Sequence, residues 1–134
     1  MVGLLRLPCR PPTFNAQSAT INATVATSAG LGGGIAGRPK FDDFVITRNV
    51  DDCSVSHYAL LLQGARIKTV TISYQSFIGS SYKETLRLTL ADASIVGLSD
   101  TTVAGAPSTE KVSLIFRTIT IFDPDTGKST QGSF

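Results

Sequence analysis

Between residues 82 and 90, Leu86, Leu88 and Leu90 alternate with Thr85, Arg87 and Thr89, so every second side chain is apolar. A period of two marks an extended strand with one buried face, because successive side chains in a strand point to opposite sides. The pattern recurs. In residues 19–27, Ile21, Ala23 and Val25 face one way and Thr20, Asn22 and Thr24 the other. Residues 41–48 place Phe41, Val45 and Thr47 on one face and Phe44 and Ile46 on the other. Residues 66–75 carry Ile67, Val70 and Ile72 after a slip, and a short strand is predicted over 94–98. Residues 111–122 read as one long strand with Val112, Leu114, Phe116, Ile119 and Ile121 as core candidates. A change of phase at Arg117 and Thr118 predicts a bulge there.

Only one stretch has helical character. Asp51 and Asp52 suit the positive end of a helix, Ser54 is placed to cap it, and Gly64 supplies a left-handed stop. Val55, Tyr58, Ala59 and Leu62 fall at helical spacing and are expected to pack on the sheet. Turn chemistry separates the strands at Gly79-Ser80-Ser81 and at Asp123-Pro124-Asp125-Thr126-Gly127. Residues 28–37 hold five glycines and are expected to form a long contacting loop, as is the small-residue stretch 99–109. The expected fold is mainly β: a small barrel or sandwich of six to seven strands with one short flanking helix.

The chain's 134 residues suffice for one domain with its own core. Charged residues make up only 16%, where about a quarter is ordinary, so part of the surface is expected to be covered by a partner. The 12 Lys and Arg are scattered without forming a basic run, which argues against a nucleic-acid ligand. Pro8, Pro11 and Pro12 interrupt the apolar start before a signal core or membrane span is complete, and no membrane insertion is expected. Cys9 and Cys53 are too few for a disulfide framework and lie in no metal-ligand pattern; a single bridge or two thiols both remain open.

Motifs that mimic chemistry lack their context. Gly32-Gly33-Gly34-Ile35-Ala36-Gly37 matches a dinucleotide fingerprint by letter, but Arg38-Pro39 follows where that fold needs a helix. Gly127-Lys128-Ser129 imitates the end of a phosphate loop, yet Phe122 stands where its first glycine belongs. His57 is the sole histidine and sits in the predicted first helical turn, an ordinary place for helix-end hydrogen bonding. Glu84 and Glu110 are the only glutamates and precede strand cores, a poor basis for paired-carboxylate work. No catalytic residue, cofactor or metal is therefore expected.

The order of segments carries a resemblance. Phe41-Asp-Asp-Phe-Val-Ile-Thr-Arg-Asn-Val-Asp51 follows the Gly-rich loop and leads through the short helix to Ile67-Lys-Thr-Val-Thr-Ile72. Tyr82-Lys-Glu-Thr-Leu-Arg-Leu-Thr-Leu90, the loop 101–108 and Thr109-Glu-Lys-Val-Ser-Leu-Ile-Phe-Arg-Thr-Ile119 continue it. Together they resemble the haemolysin-coregulated (Hcp) family, the tube proteins of type VI secretion systems and their secreted relatives. The resemblance implies a barrel with one helix, assembling as six-membered rings that stack into a hollow tube. Members of that family open with strands, whereas residues 1–17 here show no clear strand pair.

The organisation expected is an N-terminal arm (1–18), a barrel domain (19–123) and a turn with a polar tail (124–134). Ser- and Thr-rich strands with few lysines leave edges that a second copy can satisfy. Leu4, Leu5, Phe14, Leu31, Gly33, Ile35, Val103 and Phe134 are the expected subunit contacts. The expected partner is the chain itself, with secretion cargo or sheath proteins as further partners implied by the resemblance. The expected location is extracellular, or cytoplasmic before delivery. The competing reading is a monomeric extracellular β-sandwich that binds a ligand with its long loops.

Overall fold

The computed structural model describes residues 2–6, 13–28 and 35–133, and the side chains of 16–24 and 40–133. Within them the strands are β1 (Val2–Arg6), β2 (Thr13–Asn15), β3 (Ser18–Thr20), β4 (Ala23–Ser28), β5 (Ile35–Phe41) and β6 (Phe44–Asn49). Helix α1 (Cys53–Gln63) follows, and then β7 (Ile67–Ile78), β8 (Ser81–Thr101), β9 (Thr109–Ile115), β10 (Thr118–Phe122) and β11 (Ser129–Ser133).

Strand β8, at 21 residues, is the spine. Residues 81–93 pair antiparallel with β7, and residues 94–101 pair with β9. The changeover falls at Asp92, whose φ of 52° is a left-handed conformation that Asp tolerates better than most residues. Opposite it the chain breaks at Phe116–Arg117, where the Arg117 N–H donates to the Ala91 carbonyl at 3.0 Å. The predicted 111–122 strand is thus two strands. β9 joins β6 and the second half of β8, whereas β10 joins β11 and the first half. The predicted phase change marks this corner, and the separate short strand expected at 94–98 is the far half of β8.

The main sheet runs β2-β1-β7-β8-β9-β6-β3, with β10 and β11 beside β8, and it curls around one core. Phe44, Ile46, Val70, Ile72, Leu90, Val112 and Leu114 are fully buried, and Leu88 and Ile119 nearly so. Each such aliphatic side chain contributes roughly 1.5–3 kcal/mol by leaving water. The alternation read from the sequence therefore identifies this core correctly. At the tip of the β7–β8 hairpin, Gly79 takes φ 68° in a two-residue turn, the left-handed first position that favours glycine.

Three expectations are overturned by tertiary pairing. Residues 1–17 do contain a strand pair: β1 lies between β2 and β7, with Leu5 opposite both Phe14 and Ile72. The polar tail is strand β11, paired along its length with β10. The glycine-rich loop is shorter than expected, because Ile35–Phe41 forms β5 and pairs with β4 as a two-stranded ribbon. The segment 29–34 between them lies outside the described residues. The predicted 19–27 strand divides at Ile21 and Asn22, and that of 41–48 divides at Asp42 and Asp43, where the Asp42 N–H donates to the Asn22 carbonyl at 2.9 Å.

The helix ends as predicted, with Gly64 at φ 60° and the Ala65 N–H donating to the Leu60 carbonyl at 3.0 Å. Its orientation does not follow the prediction. Val55 is 76% exposed and Leu62 82%, while Cys53, Ser54 and His57 are buried and Leu60 and Leu61 pack partly against the core. The inward stripe is thus 53-57-60-61 instead of 55-58-59-62. Ser54 does not hold the cap position, which Asp52 occupies without a side-chain bond; the Asp51 carboxylate accepts the Cys53 N–H at 2.8 Å, and Ser54 Oγ accepts the Asp51 N–H at 3.2 Å.

Candidate functional site

The reason for the helix's orientation lies beneath it. Arg48 on β6, Glu110 on β9 and His57 on α1 are each at most 1% exposed. Arg48 and Glu110 are Cα partners across the β6–β9 ladder, which brings the guanidinium Nη1 to 2.8 Å from Glu110 Oε2. His57 Nδ1 lies 3.2 Å from the same oxygen. Arg48 also pairs with Asp51 at the helix entrance, and its Nη1 approaches Ser54 Oγ at 3.5 Å. Charges this deep are costly unless mutually paired, so inward rotation of His57 takes precedence over burial of Val55 and Leu62.

Desolvation holds the His57 pKa below its ordinary value against the opposing pull of Glu110. For Asp51, burial alone would raise the pKa, but the Arg48 guanidinium and the Cys53 N–H outweigh it and lower it. Cys53 itself is disulfide-bonded and 2% exposed; Cys9, the chain's other cysteine, lies outside the described residues. A histidine with no exposed surface, sandwiched between helix and sheet, suits an anchor better than a reacting group. Among the described residues no cluster of His, Cys, Asp or Glu is arranged to hold a metal. No described helix is long and apolar enough to cross a membrane.

The features left for function are surfaces. Among the described strands, β2, β3 and β11 each have only one paired side. The β4–β5 ribbon pairs with no other described strand. At the tip of the β7–β8 hairpin, Phe77 is 62% exposed, Ile78 56% and Tyr82 53%. The Phe77 and Tyr82 rings meet edge to face at 5.2 Å, and Lys83 beside them is tied to Asp125 at 2.7 Å. A cleft of about 810 Å³ opens among Phe41, Ile115, Phe116, Ile119, Ile121 and residues 130–133 of β11, with Lys40, Asp42 and Asp43 also in its lining.

The structure sets Leu5 opposite Phe14 across the β1–β2 ladder and places Ile35 and Val103 on separate elements. Leu4 and Leu5 lie on β1, Phe14 on β2, and Ile35 opens β5. Val103 is 61% exposed in the loop after β8. Leu31, Gly33 and Phe134 lie outside the described residues. The aromatic tip and the cleft were missed by sequence reading. Phe77, Ile78 and Tyr82 interrupt the alternation on either side of Gly79, which was the available signal.

Fold and surface together define a charge-poor, mainly β barrel with one clamped helix and a separate two-stranded ribbon. Residues 13–122 match the family model described as type VI secretion system effector, Hcp. The chain belongs to the Hcp family. Among solved structures, one described as an Hcp protein superposes with a TM-score of 0.82 at 20% identity, over 92% of this chain and 78% of that one. Hcp1 of E. coli EAEC 042 gives 0.81 at 14% identity over 98% and 96%, and Hcp1 of Salmonella typhimurium 0.75 at 15% over 97% and 91%. At these identities the structures attest the fold, and the curated proteins include no match.

Proposed function

We propose that this chain is a structural subunit of the type VI secretion kind, which self-assembles into rings that stack as a hollow tube or an extracellular filament. The carrying observation is family membership across residues 13–122, joined to a sheet that curls as an Hcp-like half-barrel. One-sided strands and a ribbon that pairs with no other described strand are the kind of surface that a second copy completes by backbone pairing. In this reading Leu4, Leu5, Phe14, Leu31, Gly33, Ile35, Val103 and Phe134 contribute to subunit contacts. Cargo and sheath components are further partners, the protein acts without catalysis, and it reaches the exterior through the secretion apparatus. Light scattering and negative-stain microscopy of the purified chain test this. Rings or stacks are expected at micromolar concentration, and a solitary 14.1 kDa particle at every concentration would refute the reading.

A further inference from the structure

The exposed aromatic tip closes the β7–β8 hairpin, whereas the apolar cleft is walled by residues of β5, β9, β10 and β11. Ser81 opens β8 beside the tip, and seven and nine residues further on, Leu88 and Leu90 face Ile121 and Ile119 of the cleft wall. At about 3.3 Å per residue, the two features lie on the order of 30 Å apart. The tip segment 76–82 carries no carboxylate, ammonium or guanidinium, and the Lys83 beside it is paired with Asp125. An uncharged knob of this kind suits the apolar wall formed by Ile115, Phe116, Ile119 and Ile121, while Lys40, Asp42 and Asp43 line the same cleft.

We infer that the β7–β8 tip of one copy, through Phe77, Ile78 and Tyr82, seats in the β9–β10–β11 cleft of a second copy. This deepens the self-assembly reading and rests on it. Knob and socket are different surfaces, so the contact is heterologous: it propagates head to tail and closes only when the rotation permits. The cleft volume of about 810 Å³ accommodates the three side chains. Half-exposed to two-thirds exposed, they offer on the order of 300–400 Å². Counting both sides, the contact covers well under the 1,200 Å² or so of a stable pairwise interface. It therefore holds only alongside other contacts, and assembly should set in steeply with concentration.

The test uses the full chain in two arms. In the first, a benzophenone amino acid replaces Ile78 and is irradiated in a mixture of isotope-labelled and unlabelled chains. Cross-links between copies are expected within residues 115–121 or 130–133. In the second, Phe77→Ser/Tyr82→Ser and, separately, Ile115→Glu should each raise the concentration for half-assembly at least tenfold. Ile115 is 47% exposed, so thermal melting should remain close to that of the parent. Val55→Ser/Leu62→Ser on the outer helix face should assemble as the parent does. Cross-links elsewhere, or unchanged assembly of both the tip and cleft variants, overturn this contact while leaving self-assembly intact. Failure of the parent chain to assemble at all overturns the reading beneath it.

Discussion

The two ends of the β7–β8 hairpin share a ladder but differ in what their apolar side chains do. Near the corner, Val70, Ile72, Leu88 and Leu90 are at most 2% exposed; at the tip, Phe77, Ile78 and Tyr82 are more than half exposed. One end stabilises the barrel, and the other leaves apolar surface in water that contributes little to the isolated fold. A single hairpin thus divides its hydrophobic residues between an end that holds the fold together and a tip left facing solvent.

The division can be broken most severely through the charge cluster beside the buried end. Glu110→Ala leaves Arg48 and His57 without their shared carboxylate and is expected to cost about 3–5 kcal/mol in urea denaturation. Leu90→Ala at the buried end should cost about 3 kcal/mol, since a fully buried leucine leaves a cavity. A smaller effect is expected from pH. The folded His57 pKa lies below its unfolded value near 6.5, so its contribution is complete above that pH and is lost as pH falls through the folded value. Asp51, also lowered, adds a loss at more acidic pH, below its ordinary 3.8. The urea midpoint should therefore be flat above neutrality and decline on acidification, and the decline nearest pH 6 should vanish in His57→Gln. The smallest effect belongs to the tip: Phe77→Ser/Tyr82→Ser should cost under about 1 kcal/mol, the worth of one cross-strand aromatic pair. A loss of several kcal/mol there would show that the tip supports the fold after all.

Much of the barrel was legible because strands with one buried face must alternate. Phe44, Ile46, Leu88, Leu90, Val112 and Leu114 are where the alternation places them. The exposed tip and the cleft were less legible. The cleft draws its walls from four separate strands, and no local pattern says that Ile115 and Gln131 face one space. β2 and β11 escaped because edge strands need little alternation when one backbone partner suffices.

Local sequence alone determined the alternating core positions, the left-handed stops at Gly64 and Gly79, and the Asp123–Gly127 turn, where Asp123 accepts from the Asp125 N–H at 2.9 Å. These depend on each residue's own backbone freedom and nearest neighbours. Tertiary structure decided which strands meet, where β8 turns its corner and which face of α1 looks inward. The helix shows why: its apolar spacing favours Val55 and Leu62, but Arg48 and Glu110 reach it only through a ladder joining residues 62 apart in the chain. Pairing buried charge outweighs covering two aliphatic side chains, and that pairing exists only in the assembled sheet.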